Sequence, residues 1–139
     1  MLGVSFQLPA AWTVKTDGRY VLIASHASAF NPWVFPWITF NLCDYSEGHC
    51  LQGTIDLSKD QTCAALERSV HEWSDDTKEL RWSCPDLLNG LGQHYSSTIT
   101  QFQVGDKTLV IYYLATDHDT SPNAFLDQFA RTLRLSKLP

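Results

Sequence analysis

The chain has 139 residues, 44% hydrophobic and 18% charged, which is the composition of a folded globular protein rather than a disordered one. Fifteen acidic against ten basic residues give a net charge of −5, which excludes a general attraction to nucleic acid or anionic lipid. No apolar stretch approaches the roughly 18 residues of a membrane-spanning helix, so we expect no transmembrane segment. The length fits one domain, and no repeat or linker divides residues 1–139.

The N-terminal part has the pattern of an antiparallel meander. Apolar and polar residues alternate over 4–8, and a second strand begins at Trp12. Asp17-Gly18 then precedes a third apolar run over 20–25, an arrangement typical of a β-hairpin. Residues 37–43 predict a further strand, with Ile38 and Phe40 on one face.

A central helix is the next predicted element. Ser58 stands three residues before Gln61, the spacing of a capping box, in which each side chain satisfies a free amide of the first turn. Apolar residues then recur at steps of three and four, the period of one helix face. This stripe consists of Cys63, Leu66, Val70 and Trp73.

The last part of the chain predicts strands followed by a second helix. Leu80 and Trp82 indicate a short strand, and 85–92 is rich in turn residues. The runs 93–104 and 107–114 flank Gly105-Asp106 and predict a long hairpin. Ser121-Pro122 supplies an N-cap and a first-turn proline ahead of a C-terminal helix. The predicted apolar face of that helix comprises Phe125, Leu126, Phe129, Ala130 and Leu133.

These elements predict an α+β fold, in which a central and a C-terminal helix pack on an antiparallel sheet made of a meander and a long hairpin. The opening segment Phe6-Gln7-Leu8-Pro9-Ala10-Ala11-Trp12 and the order of elements resemble the PsbP-like and DcrB-like small domains. The resemblance implies a non-catalytic adaptor or envelope lipoprotein domain. The four cysteines depart from the pattern of those families.

The cysteines predict disulfides. Cys43, Cys50, Cys63 and Cys84 contain no close pair such as C-x-x-C, which zinc sites need because two thiolates must reach one ion. Of the three possible connectivities, we favour Cys43 with Cys50 and Cys63 with Cys84. Disulfides indicate an oxidising compartment, so we expect an exported, periplasmic protein whose signal peptide or lipid anchor precedes Met1 in the full-length form.

The chemistry-bearing residues predict neither an active site nor a metal or cofactor site. The histidines are scattered, with no i, i+2 or i, i+4 pair for a metal, and no G-x-S-x-G sequence is present. Cys50 beside His49 could serve as a nucleophile, but the even number of cysteines favours pairing. We therefore expect a non-enzyme without cofactors. A hydrolase whose site forms only in three dimensions is the remaining catalytic hypothesis.

An aromatic segment between two prolines is the strongest candidate for partner binding. Phe30 precedes Pro32, and Trp33 and Phe35 lie between Pro32 and Pro36. The two prolines stiffen the backbone and block regular sheet pairing. Rigid aromatic side chains present a large area at low entropic cost, as interface anchors do. Packing of the same rings in the core is the alternative.

Acidic loops give a second hypothesis. Asp44, Glu47, Asp117 and Asp119 could enter a basic cleft, as expected of a periplasmic immunity protein that inhibits an exported toxin such as a cell-wall hydrolase. The segment from Asp117 also has alternating oxygen ligands, as calcium loops do, but lacks their glycine and distal glutamate. The sequence thus predicts a protein-binding domain, with an adaptor and an immunity protein as alternatives.

Overall fold

The computed structural model describes residues 4, 5, 7, 13–17, 21–25, 36–44, 63, 66–88, 90–105 and 107–135. In this part of the chain the structure consists of nine strands and one helix. The strands are β1 (Val4–Ser5), β2 (Thr13–Asp17), β3 (Val21–Ser25), β4 (Trp37–Asp44), β5 (Glu67–Glu72), β6 (Thr77–Leu88), β7 (His94–Val104), β8 (Lys107–Thr116) and β9 (Arg134–Leu135), and the helix is α1 (Ser121–Thr132).

Seven of the strands form one antiparallel sheet in the order β2-β3-β4-β8-β7-β6-β5. The pairing of β2 with β3 and the long hairpin of β7 and β8 confirm two predicted pairs. Val104 pairs with Lys107, so the second hairpin turns between these two residues. Gly105 has a φ of 61°, a conformation that glycine adopts without a steric penalty. Among described helices, none is long and apolar enough to cross a membrane.

Helix α1 covers one face of this sheet, which we call the helix face. Strand side chains alternate between faces, and the apolar ones on this face form the main core. Buried residues of this core from the strands include Ile38, Phe40, Phe102, Val104, Leu109 and Ile111, and those from α1 and its end are Leu126, Phe129, Ala130 and Leu133. The predicted face of the C-terminal helix is therefore confirmed, with Phe125 partly buried beside it.

The opposite side of the sheet, the disulfide face, has a smaller apolar cluster. Trp82, Ile99 and Val110 are buried there, and Leu66 packs against them. Alternation along β6 places Cys84 on the same side as Trp82. The centre of the sheet is thus buried on both faces, and this explains why its central strands are apolar over long runs.

The central-helix prediction is wrong over residues 67–72, which form the edge strand β5. The helical spacing predicts that Val70 is buried, but its side chain is 67% exposed. Six consecutive residues of β5 pair with β6, so cross-strand hydrogen bonding to a distant segment overrides the short three-and-four spacing. Ser58 and Gln61 lie outside the described residues.

The predicted meander also differs at its first strand. Val4–Ser5 pairs with Arg134–Leu135 and not with β2. Alternation identified an extended segment here, but its partner lies at the far end of the sequence, where a local pattern gives no information about pairing. A two-stranded ribbon therefore joins the two ends of the chain.

Strand β6 is longer than predicted because it continues through a β-bulge. Cys84 pairs with Ser97 but Leu87 pairs with Tyr95, so β6 has one extra residue at this point. Pro85 lies in the bulge, where its missing N–H does not break a regular ladder. Residues 85–88, expected to be turn, thus belong to the strand, and the turn is confined to the residues after Leu88.

The predicted Cys63–Cys84 disulfide is confirmed. The two Cα atoms are 6.0 Å apart, within the usual range for a disulfide. Their sequence separation of 21 closes a loop for which chain entropy gives a stabilisation of roughly 3 kcal/mol. Cys50 lies outside the described residues.

We expect Cys43 and Cys50 to form the second disulfide. With Cys63 and Cys84 joined to each other, Cys50 is the one partner within the chain that remains for Cys43. Peptide mapping under non-reducing conditions should recover one linked peptide containing residues 43 and 50. A free thiol at Cys43, measured by alkylation before reduction, would contradict this pairing.

Candidate functional site

A buried polar cluster lies between α1 and the helix face of β6. Glu79 and Arg81 are 1% and 4% exposed. The Arg81 Nε donates to Glu79 Oε2 at 2.7 Å, and Nη2 donates to Oε1 at 2.9 Å. Trp73 Nε1 donates to Oε1 at 2.9 Å, and the Thr100 hydroxyl donates to Oε2. Each carboxylate oxygen of Glu79 therefore accepts two hydrogen bonds, as a buried charge requires.

Arg81 also connects the sheet to the first turns of α1. Its Nη2 is 2.9 Å from Asp127 Oδ1, and its Nη1 is 3.3 Å from Asn123 Oδ1. Burial alone would lower the pKa of Arg81, but its hydrogen bonds and charge interactions with Glu79 and Asp127 raise the pKa above the ordinary value. The guanidinium is thus a permanent cation shared by two carboxylates, and it fixes where α1 lies on the sheet.

A shallow cleft of about 520 Å³ opens beside this cluster, between α1 and strands β5 and β6. His71 and Ser69 line it from β5, with 3.2 Å between His71 Nε2 and Ser69 Oγ. The His71 ring stacks on Trp73 with centroids 5.4 Å apart. Glu67, Asp127 and the guanidinium of Arg81 also line the cleft, so charges of both signs are present and no single ligand charge is favoured.

A different set of residues meets where β6 ends, β7 begins and β8 ends. We call this the loop end of the sheet. Ser25, the last residue of β3, pairs with Trp37, the first residue of β4. Trp37 in turn pairs with Leu114 near the end of β8, so the end of β3 and the start of β4 lie at the loop end as well. The antiparallel topology thus collects the ends of five strands and the start of α1 in one region.

The loop end exposes two leucines. Leu88 is 62% exposed and Leu91 is 80% exposed, whereas Leu87 between the bulge and Leu88 is 6% exposed. The extra bulge residue changes which side chains of β6 point to each face, and it thereby buries Leu87 on the disulfide face. Two large apolar side chains are thus exposed, one at the end of β6 and one in the turn that follows it.

Polar groups flank these leucines. His94 Nδ1 is 2.9 Å from Asp86 Oδ1, and both side chains are about half exposed. The hydrogen bond to the Asp86 carboxylate raises the pKa of His94 above its ordinary value, and the negative charges of Asp86 and Asp117 act in the same direction. The pair gives the loop end a polar rim beside its apolar turn.

The backbone of the loop before α1 is held against the bulge. His118 N donates to the Pro85 carbonyl at 2.9 Å. His118 has a φ of 57°, in the left-handed region that non-glycine residues rarely occupy. The hydrogen bond therefore holds the residue after Asp117 next to the bulge of β6.

The structure separates the predicted acidic residues. Asp117 is exposed at the loop end, whereas Asp44 pairs with Lys107 at the other end of β8. Ten residues of strand lie between these positions, roughly 30 Å. Asp119 Oδ1 accepts a hydrogen bond from Ser121 N at 2.9 Å, so it stabilises the start of α1 and is only partly available to a partner. The N-cap position is Thr120, one residue before the predicted Ser121.

The predicted aromatic anchors Phe30, Trp33 and Phe35 lie outside the described residues, as does Glu47. Sequence analysis did not single out Leu88, Leu91 or the Glu79–Arg81 pair. In the sequence, Leu88 and Leu91 belong to a segment that predicts a turn. The three leucines Leu87, Leu88 and Leu91, close together beside two glycines, are the pattern that could have indicated an exposed apolar site. Glu79 and Arg81 alternate with Leu80 and Trp82. This alternation equally predicts a strand whose charged residues face solvent, so it does not indicate a buried ion pair.

No protein-family model matches the chain, and neither does any curated protein sequence. Among solved structures, the chain is similar to a protein from Bacteroides thetaiotaomicron VPI-5482 whose crystal structure was determined at 1.50 Å resolution. The TM-score is 0.65 and the sequence identity is 12%, over 97% of this chain and 46% of that protein. The chain therefore spans less than half the length of that protein, and the likeness concerns the fold alone.

Proposed function

We propose that this chain is an exported, non-catalytic domain that binds another protein through the loop end of its sheet. The observation that carries the proposal is the pair of exposed leucines at that end, next to the polar groups of Asp86 and His94. An apolar centre with a polar rim is the usual composition of a protein-binding patch.

The disulfide supports the exported location. Cys63–Cys84 joins the disulfide face to a residue outside the sheet, and bonds of this kind persist in oxidising compartments such as the periplasm. An adaptor or an envelope lipoprotein domain of the PsbP-like or DcrB-like kind fits this location and size.

The polar cluster supports a non-catalytic function. The carboxylate of Glu79 and the guanidinium of Arg81 are the most buried charged groups among the described residues. Glu79 accepts four hydrogen bonds within the protein, and Arg81 links Glu79 to Asp127 of α1. A general acid or base must exchange a proton with a substrate within hydrogen-bond reach. The arrangement of this cluster serves stability instead.

The predicted aromatic anchors extend the proposal. Residues 30, 33 and 35 follow Ser25 and precede Trp37 in the sequence, and both of these residues lie at the loop end. We propose that Phe30, Trp33 and Phe35 contact the same partner, as rigid aromatic anchors. Asp117 adds negative charge at the loop end, which favours a partner with a basic rim.

We expect the double substitution Leu88→Ser/Leu91→Ser to weaken partner binding by about 10-fold or more while leaving the melting temperature unchanged. Both side chains are exposed, so their removal creates no cavity, but it removes apolar area that binding would bury. The partner is captured from periplasmic extract with the wild-type chain and identified, and Kd is then measured with the purified partner by calorimetry.

Gln103→Ser is the matched control, because Gln103 is exposed at the other end of β7. Trp33→Ala belongs in the same series: weaker binding at an unchanged melting temperature would place Trp33 among the anchors. Equal Kd values for the wild type and the double variant would contradict the assignment of the loop end. An unchanged melting temperature makes that result independent of folding.

A further inference from the structure

Among the described residues, strand β5 is an edge of the seven-stranded sheet. It is last in the strand order, and its one sheet partner among the described residues is β6. The side of an edge strand that faces away from the sheet offers backbone N–H and C=O groups to another strand. Six uninterrupted pairs with β6 show that β5 has neither a bulge nor a proline, two of the devices that prevent such pairing.

The exposed side chains of β5 have a pattern that is complementary to itself. Arg68, Val70 and Glu72 share the disulfide face and are all exposed, Val70 by 67%. A cation and an anion thus lie two residues either side of a valine. A strand with opposite charges at equal distances from its centre can pair with an antiparallel copy of itself.

Symmetry selects one register for this pairing. A twofold axis perpendicular to the sheet aligns equal faces, so a residue on the axis must face its own copy. With Val70 on the axis, Val70 meets Val70 of the second copy, and Arg68 meets Glu72 of the second copy twice. Placing Ser69 or His71 on the axis instead puts valine opposite a charged residue.

The remaining contacts agree with this register. On the helix face it places Ser69 opposite His71 of the second copy, and both are polar. Within its own chain Glu72 pairs across the ladder with Lys78, so in the dimer the Glu72 carboxylate would lie between two cations. Directly opposed residues of antiparallel strands have Cβ atoms about 5 Å apart, close enough for ion pairs.

We propose that β5 binds a second copy of this chain and forms a symmetric dimer with one continuous sheet across the two copies. The register is centred on Val70 and fixed by two Arg68–Glu72 ion pairs. The dimer uses a different surface from the loop end, since Val70 pairs with Leu80, and Leu88 lies eight residues further along β6. It leaves the proposed partner-binding region accessible.

Charge reversal tests the register on the whole chain. Arg68→Glu leaves carboxylates at both positions, Glu72→Arg leaves cations at both, and each variant would therefore oppose like charges twice. We expect either single variant to weaken dimerisation by at least about 10-fold, measured by sedimentation equilibrium over a range of concentrations. Arg131→Glu, an exposed reversal on α1, should dimerise as the wild type does.

Mixing the two single variants gives the decisive measurement. An equimolar mixture of Arg68→Glu and Glu72→Arg chains would oppose unlike charges at both positions and should recover the dimer. Recovery also shows that both variants are folded, which circular dichroism checks independently. A wild type that stays monomeric, single variants that dimerise as the wild type does, or a mixture that stays monomeric would each overturn the proposal.

Discussion

Replacing Phe129 with alanine should lower the free energy of unfolding by about 3–5 kcal/mol, the usual cost of truncating a buried phenylalanine. Phe129 is 2% exposed. Its ring centroid lies 5.7 Å from those of Phe40 and Phe102 and 6.0 Å from that of Phe125. The ring therefore joins α1 to β4 and β7 at the centre of the main core.

Gln128→Ala is the control for this prediction, because it changes the neighbouring, exposed position of the same helix. Denaturant titrations of the two variants and the wild type measure the difference. We expect the midpoint for Gln128→Ala to stay close to that of the wild type. Similar midpoints for Phe129→Ala and Gln128→Ala would mean that the helix face is not the main source of stability.

Elements with strong local signals were predicted well from the sequence. Helix α1 has a first-turn proline and apolar residues at helical spacing, and the β7–β8 hairpin has a glycine at a turn between two apolar runs. In both cases the residues that specify the structure lie within a few positions of one another. Capping, periodicity and turn conformation act at that range.

Elements determined by distant pairing were not predicted. Strand β5 has a short three-and-four spacing of apolar residues, yet its conformation depends on six pairs with β6. Strand β1 depends likewise on β9, at the far end of the chain. The bulge after Cys84 extends β6 because β7 provides a long neighbour, and this also determines that Leu88 is exposed while Leu87 is buried.

The candidate sites show the same division. Asp117 was predicted as an exposed acidic residue and is one, but the separation of Asp44 from it follows from the length of β8. The Glu79–Arg81 cluster was not predicted, because α1, which buries these two charges, lies some 40 residues later in the sequence. Burial of a polar strand residue depends on what the rest of the chain places on top of it.

We expect Arg81→Met to lower the free energy of unfolding by about 3–5 kcal/mol, as removal of one partner of a buried ion pair does. The substitution keeps an unbranched side chain of similar length but leaves the Glu79 carboxylate, which is 1% exposed, with Trp73 and Thr100 as its remaining donors. Asp127 also loses its contact with Nη2, but its side chain is 46% exposed and solvent replaces that contact. Asp127→Asn should therefore change stability by less than about 1 kcal/mol.

The double variant Glu79→Gln/Arg81→Met separates the charge of Glu79 from the packing of Arg81. Glutamine keeps one acceptor oxygen, which Trp73 Nε1 can use, and its NH2 group can donate to the Thr100 hydroxyl, which has the Leu80 carbonyl as an alternative acceptor. It has no charge to leave unpaired, so the double variant should be more stable than Arg81→Met alone. Urea titrations of the wild type, both single variants and the double variant give the coupling between the two residues. A double variant no more stable than Arg81→Met would contradict this account, because the loss of stability would then come from the missing bonds of Arg81 to Asn123 and Asp127 and not from the unpaired charge of Glu79.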